Sequence, residues 1–138
     1  MFSTSGKSAA EQSPHLELGR RGENLATRHL RANGYKILHR NFTSLHGGEV
    51  DIVCREKKTL VFVEVKTRSS SEYGSPAHGV TLDQERSISR GALAWLRMLG
   101  NPTDIIFRFD IVEVLVEKSG TKVSLIRDAF KLSEPYRY

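Results

Sequence analysis

Charged residues interrupt two runs of the sequence that otherwise have the composition of buried β-strands. The runs are Val50-Asp51-Ile52-Val53-Cys54 and Leu60-Val61-Phe62-Val63-Glu64-Val65-Lys66. Charged side chains are rarely buried unless an opposite charge, a hydrogen bond or a metal ion compensates for the loss of water. Asp51, Glu64 and Lys66 are therefore the first candidates for chemistry in this chain.

The segment between the two runs, Arg55-Glu56-Lys57-Lys58-Thr59, has the length of a hairpin connection. If Lys57-Lys58 forms the turn, Asp51 lies directly opposite Glu64. The same register pairs Glu49 with Lys66. Because side chains alternate along a strand, these four charges share one face. A continuous apolar layer is then expected on the other face, formed by Val50, Ile52, Cys54, Val61, Val63 and Val65. A shift of one residue would move Asp51 to that apolar face, so the inference depends on the register.

Two carboxylates that face each other across a strand pair repel one another. They can coexist if they share a proton, if Lys66 screens them, or if they bind a divalent cation such as Mg²⁺ or Mn²⁺, which prefers carboxylate oxygens and water. Lys66 is spaced to polarise a water molecule and to stabilise the charge that develops on a phosphate. This geometry suits metal-assisted phosphodiester hydrolysis. The alternative is a solvated sheet surface with a cross-strand salt bridge, which is the commoner arrangement of charges on a hairpin.

Helix and strand patterns predict the elements that must position these charges. Apolar residues recur at helical spacing over residues 16–33, with Gly34 as a cap, and residues 35–42 contain the β-formers of a strand. A second helix is predicted over residues 82–99, and two further strands over residues 105–116 and 122–126. The order α-β-β-β-α-β-β predicts an α/β fold in which helices flank a mixed β-sheet.

We expect one domain over residues 16–132, a disordered N-terminal tail over residues 1–15 and a C-terminal tail over residues 133–138. Residues 1–15 are rich in Ser and small residues and lack an apolar period. Residues 69–79 combine serines, glycines and a proline, which is typical of a mobile surface loop.

The net charge of +5 is compatible with a nucleic-acid partner, although charge alone is a weak indication. No run of apolar residues is long enough to cross a membrane and no signal core is present, so we expect a cytoplasmic protein without membrane contact. Cys54 is the only cysteine, which excludes an intrachain disulfide and a cysteine-based zinc site. The histidines lack a paired metal-ligand spacing; His46 is the nearest in sequence to the acidic cluster.

Several motifs combine in a specific way along the chain: Gly19-Arg20-Arg21-Gly22-Glu23 with Ala26 and Leu30, Gly34-Tyr35 with Ile37-Leu38 and Arg40-Asn41, Gly48-Glu49-Val50-Asp51-Ile52-Val53, Val61-Phe62-Val63-Glu64-Val65-Lys66-Thr67-Arg68, Gly74-Ser75-Pro76 and Arg108-Phe109-Asp110. With them, the chain resembles the YraN-like family of small bacterial proteins over about residues 17–130. That family has the fold of the PD-(D/E)XK nuclease superfamily, close to restriction endonucleases and archaeal Holliday-junction resolvases.

The resemblance implies a restriction endonuclease-like core in which Asp51 and Glu64 coordinate Mg²⁺ or Mn²⁺. It also implies that the Val65 carbonyl adds a ligand and that Lys66 assists the nucleophilic water. Glu23 matches an acidic residue on the first helix that supports the metal site in related nucleases, although most glutamates at such a helix edge face water. Gln84 falls where relatives often carry a Lys or Gln that reaches the active site.

Candidate contacts with nucleic acid are Arg68, Arg86 and Arg90, with Arg97 on the same helix as the latter two. Asp110 matches an acidic position of the family, and a salt bridge with Arg108 or Arg68 at the edge of the sheet is the alternative explanation for it. The expected function is a divalent-metal-dependent nuclease acting on DNA, with branched DNA, DNA ends and RNA all open as substrates. The alternative is a non-catalytic nucleic-acid-binding or assembly module, and a homodimer would present two sites to the two strands of a duplex.

Overall fold

The fold places a five-stranded sheet between two helices. A computed structural model of the chain describes residues 4–69 and 80–138, with side chains from residue 14 onward within those ranges. The elements are α1 Thr4–Ala32, β1 Tyr35–Thr43, β2 Glu49–Glu56, β3 Thr59–Ser69, α2 Leu82–Met98, β4 Ile106–Glu117 and β5 Gly120–Phe130. The predicted order and the mixed α/β fold are confirmed. Ser69, the first residue of the predicted mobile loop, is the last residue of β3, whereas residues 70–79 with the Gly74-Ser75-Pro76 motif lie outside the described residues.

The strands follow one another across the sheet in the order β1-β2-β3-β4-β5. All neighbours are antiparallel except β3 and β4, which are parallel because the chain crosses over through α2 between them. The predicted hairpin register is confirmed over five pairs, from Glu56 and Thr59 to Ile52 and Val63. Lys57 has a φ of 54°, the left-handed backbone that lets a two-residue turn join the strands.

Each helix buries its apolar stripe on a different face of the sheet. Ala26 and Leu30 of α1 pack into a cluster with Ile52, Cys54, Val61, Val63, Val112 and Val114. Ile88, Ala92 and Leu96 of α2 pack into a second cluster with Val53, Leu60, Phe62 and Phe109. Alternate residues of β2 and β3 therefore feed opposite layers, as the period of a strand requires.

Val50 corrects one detail of the predicted hairpin face. It was expected in the same layer as Ile52, but it packs with Phe42 and α2 on the opposite side of the sheet. The neighbours of Asn41 in β1 pair with Val50 and Ile52, and Asn41 itself has a left-handed φ of 58°. A residue in this conformation interrupts the regular alternation of a strand pair. Asp51 lies at that interruption, between the two layers.

Helix α1 begins at Thr4, earlier than the predicted start at residue 16. The prediction relied on an apolar period, whereas Ala9, Ala10, Glu11 and Gln12 favour a helix through their intrinsic propensities without forming an apolar face. The division of the chain into a domain and two tails remains a prediction. No helix within the described residues has the length and apolar character needed to cross a membrane.

Residues near the C-terminus pack against α2. The Ser133 main-chain N–H donates a hydrogen bond to Ser89 Oγ at 3.0 Å, and both side chains are buried. The Tyr136 hydroxyl accepts a hydrogen bond from Arg90 Nη1 at 3.0 Å. This contact orients one of the arginines of the second helix.

Candidate active site

Asp51 lies where the pairing between β2 and β3 ends. The last Cα pair of the hairpin is Ile52 with Val63, one residue before Asp51. Asp51 Oδ2 accepts a hydrogen bond from the Val65 main-chain N–H at 2.8 Å, so the side chain bonds to the strand from which its own backbone has separated. Burial raises the pKa of Asp51, and the nearby carboxylates of Glu23 and Glu49 raise it further. The carboxylate is thus fixed in position while its negative charge is poorly solvated.

Glu64 is the partner of Asp51 that the hairpin register predicts. Burial, and then the negative charge of Asp51, raise the pKa of Glu64 from 4.5 to about 8. The two groups therefore hold a proton between them at neutral pH when no cation is present. Lys66 Nζ lies 3.6 Å from Glu64 Oε2, and this positive charge only partly offsets the repulsion.

Lys66 is held between β3 and α2. Its Nζ donates a hydrogen bond to Gln84 Oε1 at 3.0 Å, and its side chain is 19% exposed. Gln84 Oε1 also accepts a hydrogen bond from the Thr81 main-chain N–H at 3.0 Å, while Thr81 Oγ1 accepts one from the Gln84 N–H at 3.1 Å. This reciprocal arrangement is a capping box at the start of α2. The helix cap therefore positions the amide that orients Lys66.

Glu23 reaches the same site from α1. Its Oε1 accepts hydrogen bonds from Arg40 Nη2 at 2.9 Å and from Asn41 Nδ2 at 3.0 Å. The side chain is only 15% exposed, so it does not face water as most glutamates at a helix edge do. Because Arg40 and Asn41 bind one oxygen, the carboxylate is neutralised by a fixed partner and its orientation is set by β1.

Gly22 explains why α1 can approach β3 so closely. A Cβ atom at this position would overlap the side chain of Thr67 on β3. On the other face, a Cβ on Gly48 would lie 2.5 Å from the Gly91 nitrogen of α2. Such distances are below the contact range of real side chains, so both approaches require glycine. Glycine thus permits a close approach of α1 to β3 and of α2 to the start of β2.

A cavity of about 350 Å³ brings the residues of the two layers together. Four predicted site residues line it: Glu23, Asp51, Val65 and Lys66. A second cavity of about 180 Å³ lies on the α2 side and is lined by Glu49, Asp51, Glu64 and Gln84, among others. Asp51 lines both cavities because it lies at the interruption of the strand. The structure therefore groups all five predicted catalytic residues.

The donor set fits Mg²⁺ or Mn²⁺ better than a softer metal. Within the described ranges, no three or more His, Cys, Asp or Glu side chains are grouped closely enough to hold a metal ion by themselves. Asp51 and Glu64 provide two carboxylates and Val65 a carbonyl. Mg²⁺ commonly binds through one or two carboxylates and retains several waters, so this set is sufficient for it, whereas a structural zinc site would need four protein ligands.

His15 also lines the larger cavity, although it was not among the predicted site residues. It was treated as a surface residue because no histidine pair had metal-ligand spacing. Its position relative to Glu23 could have identified it, since His15, Gly19 and Glu23 follow one another at intervals of one helical turn. His46, in contrast, lies beside Arg90 and Arg97 in a separate pocket and does not line either acidic cavity.

The predicted nucleic-acid contacts are distributed over three places. Arg68 lines a cavity beside Lys66 together with Glu113 and Lys122. Arg86 Nε lies 3.4 Å from the Glu134 carbonyl oxygen, and its Nη1 is 4.0 Å from Asp83. Arg90 contacts Tyr136. The structure thus separates these arginines, and their role in binding nucleic acid remains a prediction.

Asp110 belongs to a buried polar network at the other end of the hairpin. Its Oδ1 accepts hydrogen bonds from Arg108 Nε and from the Asp128 main-chain N–H, each at 2.9 Å, and its side chain is fully buried. Arg108 Nη2 also bonds to Glu56 Oε1 at 2.9 Å. The partner is therefore Arg108, as one alternative predicted, but the pair lies inside the sheet instead of at its edge.

Comparison with other proteins places the site within a family. The sequence profile of a family described as "Uncharacterised protein family UPF0102" matches residues 22–114, a range that contains all five residues of the candidate site. A UPF0102 protein of Geobacter metallireducens is 45% identical over 116 residues, which cover 84% of this chain and 93% of the relative. A relative from Geobacter sulfurreducens is 46% identical over 117 residues, covering 84% and 90% of the two chains. One from Rhodococcus jostii is 43% identical over 117 residues, covering 84% and 98%.

Proposed function

The chain belongs to the UPF0102 family, which is the YraN-like family that its motifs predict, and we propose that it is a divalent-metal-dependent nuclease acting on DNA. The reaction is hydrolysis of a phosphodiester bond, with branched or processed DNA as the expected substrate. The family name assigns no activity, so this proposal depends on the chemistry of the site.

The pair formed by Asp51 and Glu64 is the observation that carries the proposal. Two adjacent carboxylates with raised pKa values are an unfavourable arrangement unless a proton or a cation lies between them. A plain surface salt bridge would leave both acids solvated, with pKa values near those of free side chains. The pair therefore favours a cation site over a solvated charged face.

The residues around the pair have distinct tasks in hydrolysis. Lys66, oriented by Gln84, donates hydrogen bonds towards the attacking water or the phosphate and stabilises the negative charge that develops there. Glu23, held by Arg40, borders the cavity and supports the charge balance around Asp51. A divalent cation bound by Asp51, Glu64 and the Val65 carbonyl would supply Lewis-acid chemistry at the phosphate. Water attacks phosphorus and releases one proton to solvent, the bond from phosphorus to the deoxyribose oxygen breaks, and the departing oxygen takes up a proton from solvent.

A nucleic-acid-binding or assembly module without turnover is the second candidate function. It is favoured by the small number of protein ligands, since the described residues include no group of three or more metal-binding side chains. A homodimer, which would apply two sites to the two strands of a duplex, remains a prediction.

Cleavage of a panel of nucleic acids tests the proposal directly. End-labelled single-stranded, duplex, flapped and four-way-junction DNAs, with matching RNAs, would be incubated with the full chain in Mg²⁺ and in Mn²⁺. The proposal expects cleavage of at least one DNA, and EDTA should stop it. Binding of these DNAs without cleavage in either metal would favour the module instead.

Removal of the cation should make the stability of the protein depend on pH. The pKa of Glu64 is raised from 4.5 to about 8 in the folded state, so its contribution to stability is complete below about pH 4.5 and is lost as the pH rises through about 8. In EDTA, the melting temperature should therefore fall between pH 5 and pH 8. Mg²⁺ should raise it by about 5 °C at pH 8 and by less at pH 5, because the cation replaces the proton. Thermal melts followed by circular dichroism measure both effects.

Glu64→Gln removes the group whose pKa is raised to about 8 and should strongly reduce both effects, while the raised pKa of Asp51 leaves a smaller dependence on pH. Asp104→Asn also removes one carboxylate, but at an exposed position, and should leave both effects intact. An equal Mg²⁺ effect in wild type and Glu64→Gln would argue against a cation at this pair.

Gln84→Ala should lower the cleavage rate about tenfold, because Lys66 loses the acceptor that orients it. The same change also removes half of the capping box. Thr81→Ala is the matched control, since it removes the other half of the cap and leaves the Lys66 contact in place. Rates measured under single-turnover conditions should fall for Gln84→Ala and remain near wild type for Thr81→Ala. Equal losses in the two variants would assign the effect to the helix cap.

A further inference from the structure

A basic pocket lies beside the turn that leads into β2. It has a volume of about 210 Å³ and is lined by His46, Gly47, Arg90, Leu93, Arg97 and Tyr136. No Asp or Glu lines it, and among the described residues neither Arg90 nor Arg97 forms an ion pair with a carboxylate. Two guanidinium groups therefore face one concave space without a compensating negative charge.

The pocket is built on fixed backbone and not on long mobile side chains alone. Gly48 packs against the backbone of Arg90 and Gly91, which anchors the turn to α2. Arg90 Nη1 donates a hydrogen bond to the Tyr136 hydroxyl at 3.0 Å, and its guanidinium carbon lies 6.0 Å from the centre of that ring. Arg97 follows Arg90 by two helical turns and so lies on the same face of α2. The Arg90 guanidinium is thereby held in place, and its remaining N–H donors can bind the oxygens of a phosphate group.

Leu45 projects from the rim of this pocket into solvent. It is fully exposed, and among the described residues it is the most exposed of the large apolar side chains. The turn that carries it is held by hydrogen bonds from the Ser44 N–H to the Gly48 carbonyl at 3.0 Å and from the Gly47 N–H to the Ser44 carbonyl at 3.1 Å. The His46 N–H also bonds to Ser44 Oγ at 3.2 Å. An exposed leucine on a hydrogen-bonded turn is therefore available to a partner.

The spacing along α2 relates this pocket to the acidic pair. Arg90 follows Gln84, which contacts Lys66, by six residues, or about 9 Å along the helix axis. This is on the order of three base-pair steps of a DNA strand. Six residues also place Gln84 and Arg90 about 120° apart around the helix axis, so a strand with one phosphate at the acidic pair and another in the basic pocket has to bend around α2. A small free anion would fill the pocket but would make no contact with Leu45.

We propose that the pocket formed by His46, Arg90 and Arg97 binds a backbone phosphate of the DNA substrate, while Leu45 inserts against bases at a break in their stacking. The inference rests on the proposed nuclease function and specifies its substrate class. Apolar side chains that enter between bases act as wedges, and opening the stack costs least where it is already interrupted. The preferred DNA therefore has a flap, branch or frayed end.

Equilibrium binding in EDTA tests this without any requirement for catalysis. A fluorescent flapped duplex and the unbranched duplex of the same sequence would be titrated with the full chain over a series of salt concentrations. Arg97→Gln should weaken binding to both DNAs about threefold to tenfold and should reduce the slope of log affinity against log salt by about one. Leu45→Ser should weaken binding to the flapped DNA only.

Arg55→Gln is the charge-matched control. Arg55 is an exposed arginine near the other end of β2, where it bonds to the Lys57 carbonyl. Arg97 and Leu45 are exposed, so neither change is expected to unfold the protein. An Arg97→Gln variant with the affinity and salt slope of Arg55→Gln would overturn the phosphate pocket. Equal losses on both DNAs for Leu45→Ser would overturn the base contact. Because these measurements contain no metal, loss of the nuclease proposal would instead be detected as binding with no cleavage in Mg²⁺ or Mn²⁺.

Discussion

Asp51→Asn and Glu64→Gln are each expected to lower the rate of metal-dependent cleavage by at least about 100-fold. Each change keeps the size of the side chain but removes a negative charge from the pair that would bind the cation. Asp51→Asn also replaces a carboxylate with an amide beside the Val65 N–H, which donates a hydrogen bond to Asp51 Oδ2, and the NH₂ group of the amide cannot accept that bond. Initial rates on the DNA that wild type cuts fastest would measure the effect.

Increasing the concentration of Mn²⁺ should recover part of the activity of Asp51→Asn, because a weaker site is then filled more completely. Asp104→Asn provides the control, since it is an exposed aspartate that lines none of the cavities around the site. The second function, a binding module, predicts that all three variants bind DNA like wild type and that none cuts it. Full cleavage by Asp51→Asn would remove the assignment of the site.

Asp110→Asn is expected to destabilise the fold by about 3 kcal/mol, since it removes one partner of a buried ion pair and leaves Arg108 with Glu56 as its only carboxylate among the described residues. Asp110 is fully buried and accepts from Arg108, from the Tyr35 hydroxyl and from a main-chain N–H. An asparagine side chain has only one acceptor oxygen. Its NH₂ group would place two further donors against the N–H and O–H groups that donate to Asp110. For a domain of this size the change corresponds to a melting temperature lower by about 10 °C.

Asp128→Asn is the matched control for this change. Asp128 is exposed and pairs with Lys131, whose side chain is 82% exposed, so the loss should be below about 1 kcal/mol. Its φ of 51° is tolerated equally well by asparagine. Urea denaturation followed by circular dichroism would compare the two variants in EDTA. Similar losses in both would mean that the buried network contributes little to stability.

The network also includes charged and phenolic groups that no sequence pattern connects. Hydrogen bonds from Arg127 and Arg108 lower the pKa of Glu56 from 4.5 to about 2. Burial and the nearby Asp110 raise the pKa of the Tyr35 phenol to about 12. These residues come from β1, β2, β4 and β5, so their meeting depends on the completed sheet.

Local patterns were sufficient to predict the order of the elements and the hairpin register. Both depend on features within a few residues, namely alternation along β2 and β3 and a short polar turn between them. From that register, the meeting of Asp51 with Glu64 followed directly. The face of Val50 did not follow, because it depends on the left-handed conformation of Asn41 in a neighbouring strand.

Contacts between distant segments set the limit of what the sequence could predict about the site. The role of Gln84 as the acceptor of Lys66 depends on how α2 returns to the sheet after the crossover. The place of His15 in the cavity was not predicted either, because it depends on α1 starting before its apolar stripe. The pairing of Arg90 with Tyr136 joins residues 46 positions apart, and no periodic pattern encodes it. Only the family resemblance directed attention to Glu23 and Gln84 in advance.

The glycine contacts at Gly22 and between Gly48 and Gly91 have a consequence for how the protein tolerates change. At Gly22 the helix meets the Thr67 side chain of β3, and at Gly48 and Gly91 backbone meets backbone, so at each point at least one partner has no side chain that could adjust. Substitutions elsewhere in the two apolar clusters can be absorbed by repacking of neighbouring side chains. Variation in the core is therefore largely uncoupled from the width of the cavity around Asp51. The three glycines act as fixed spacers, and a redesign of this scaffold for other chemistry would have to retain them before any charged residue is chosen.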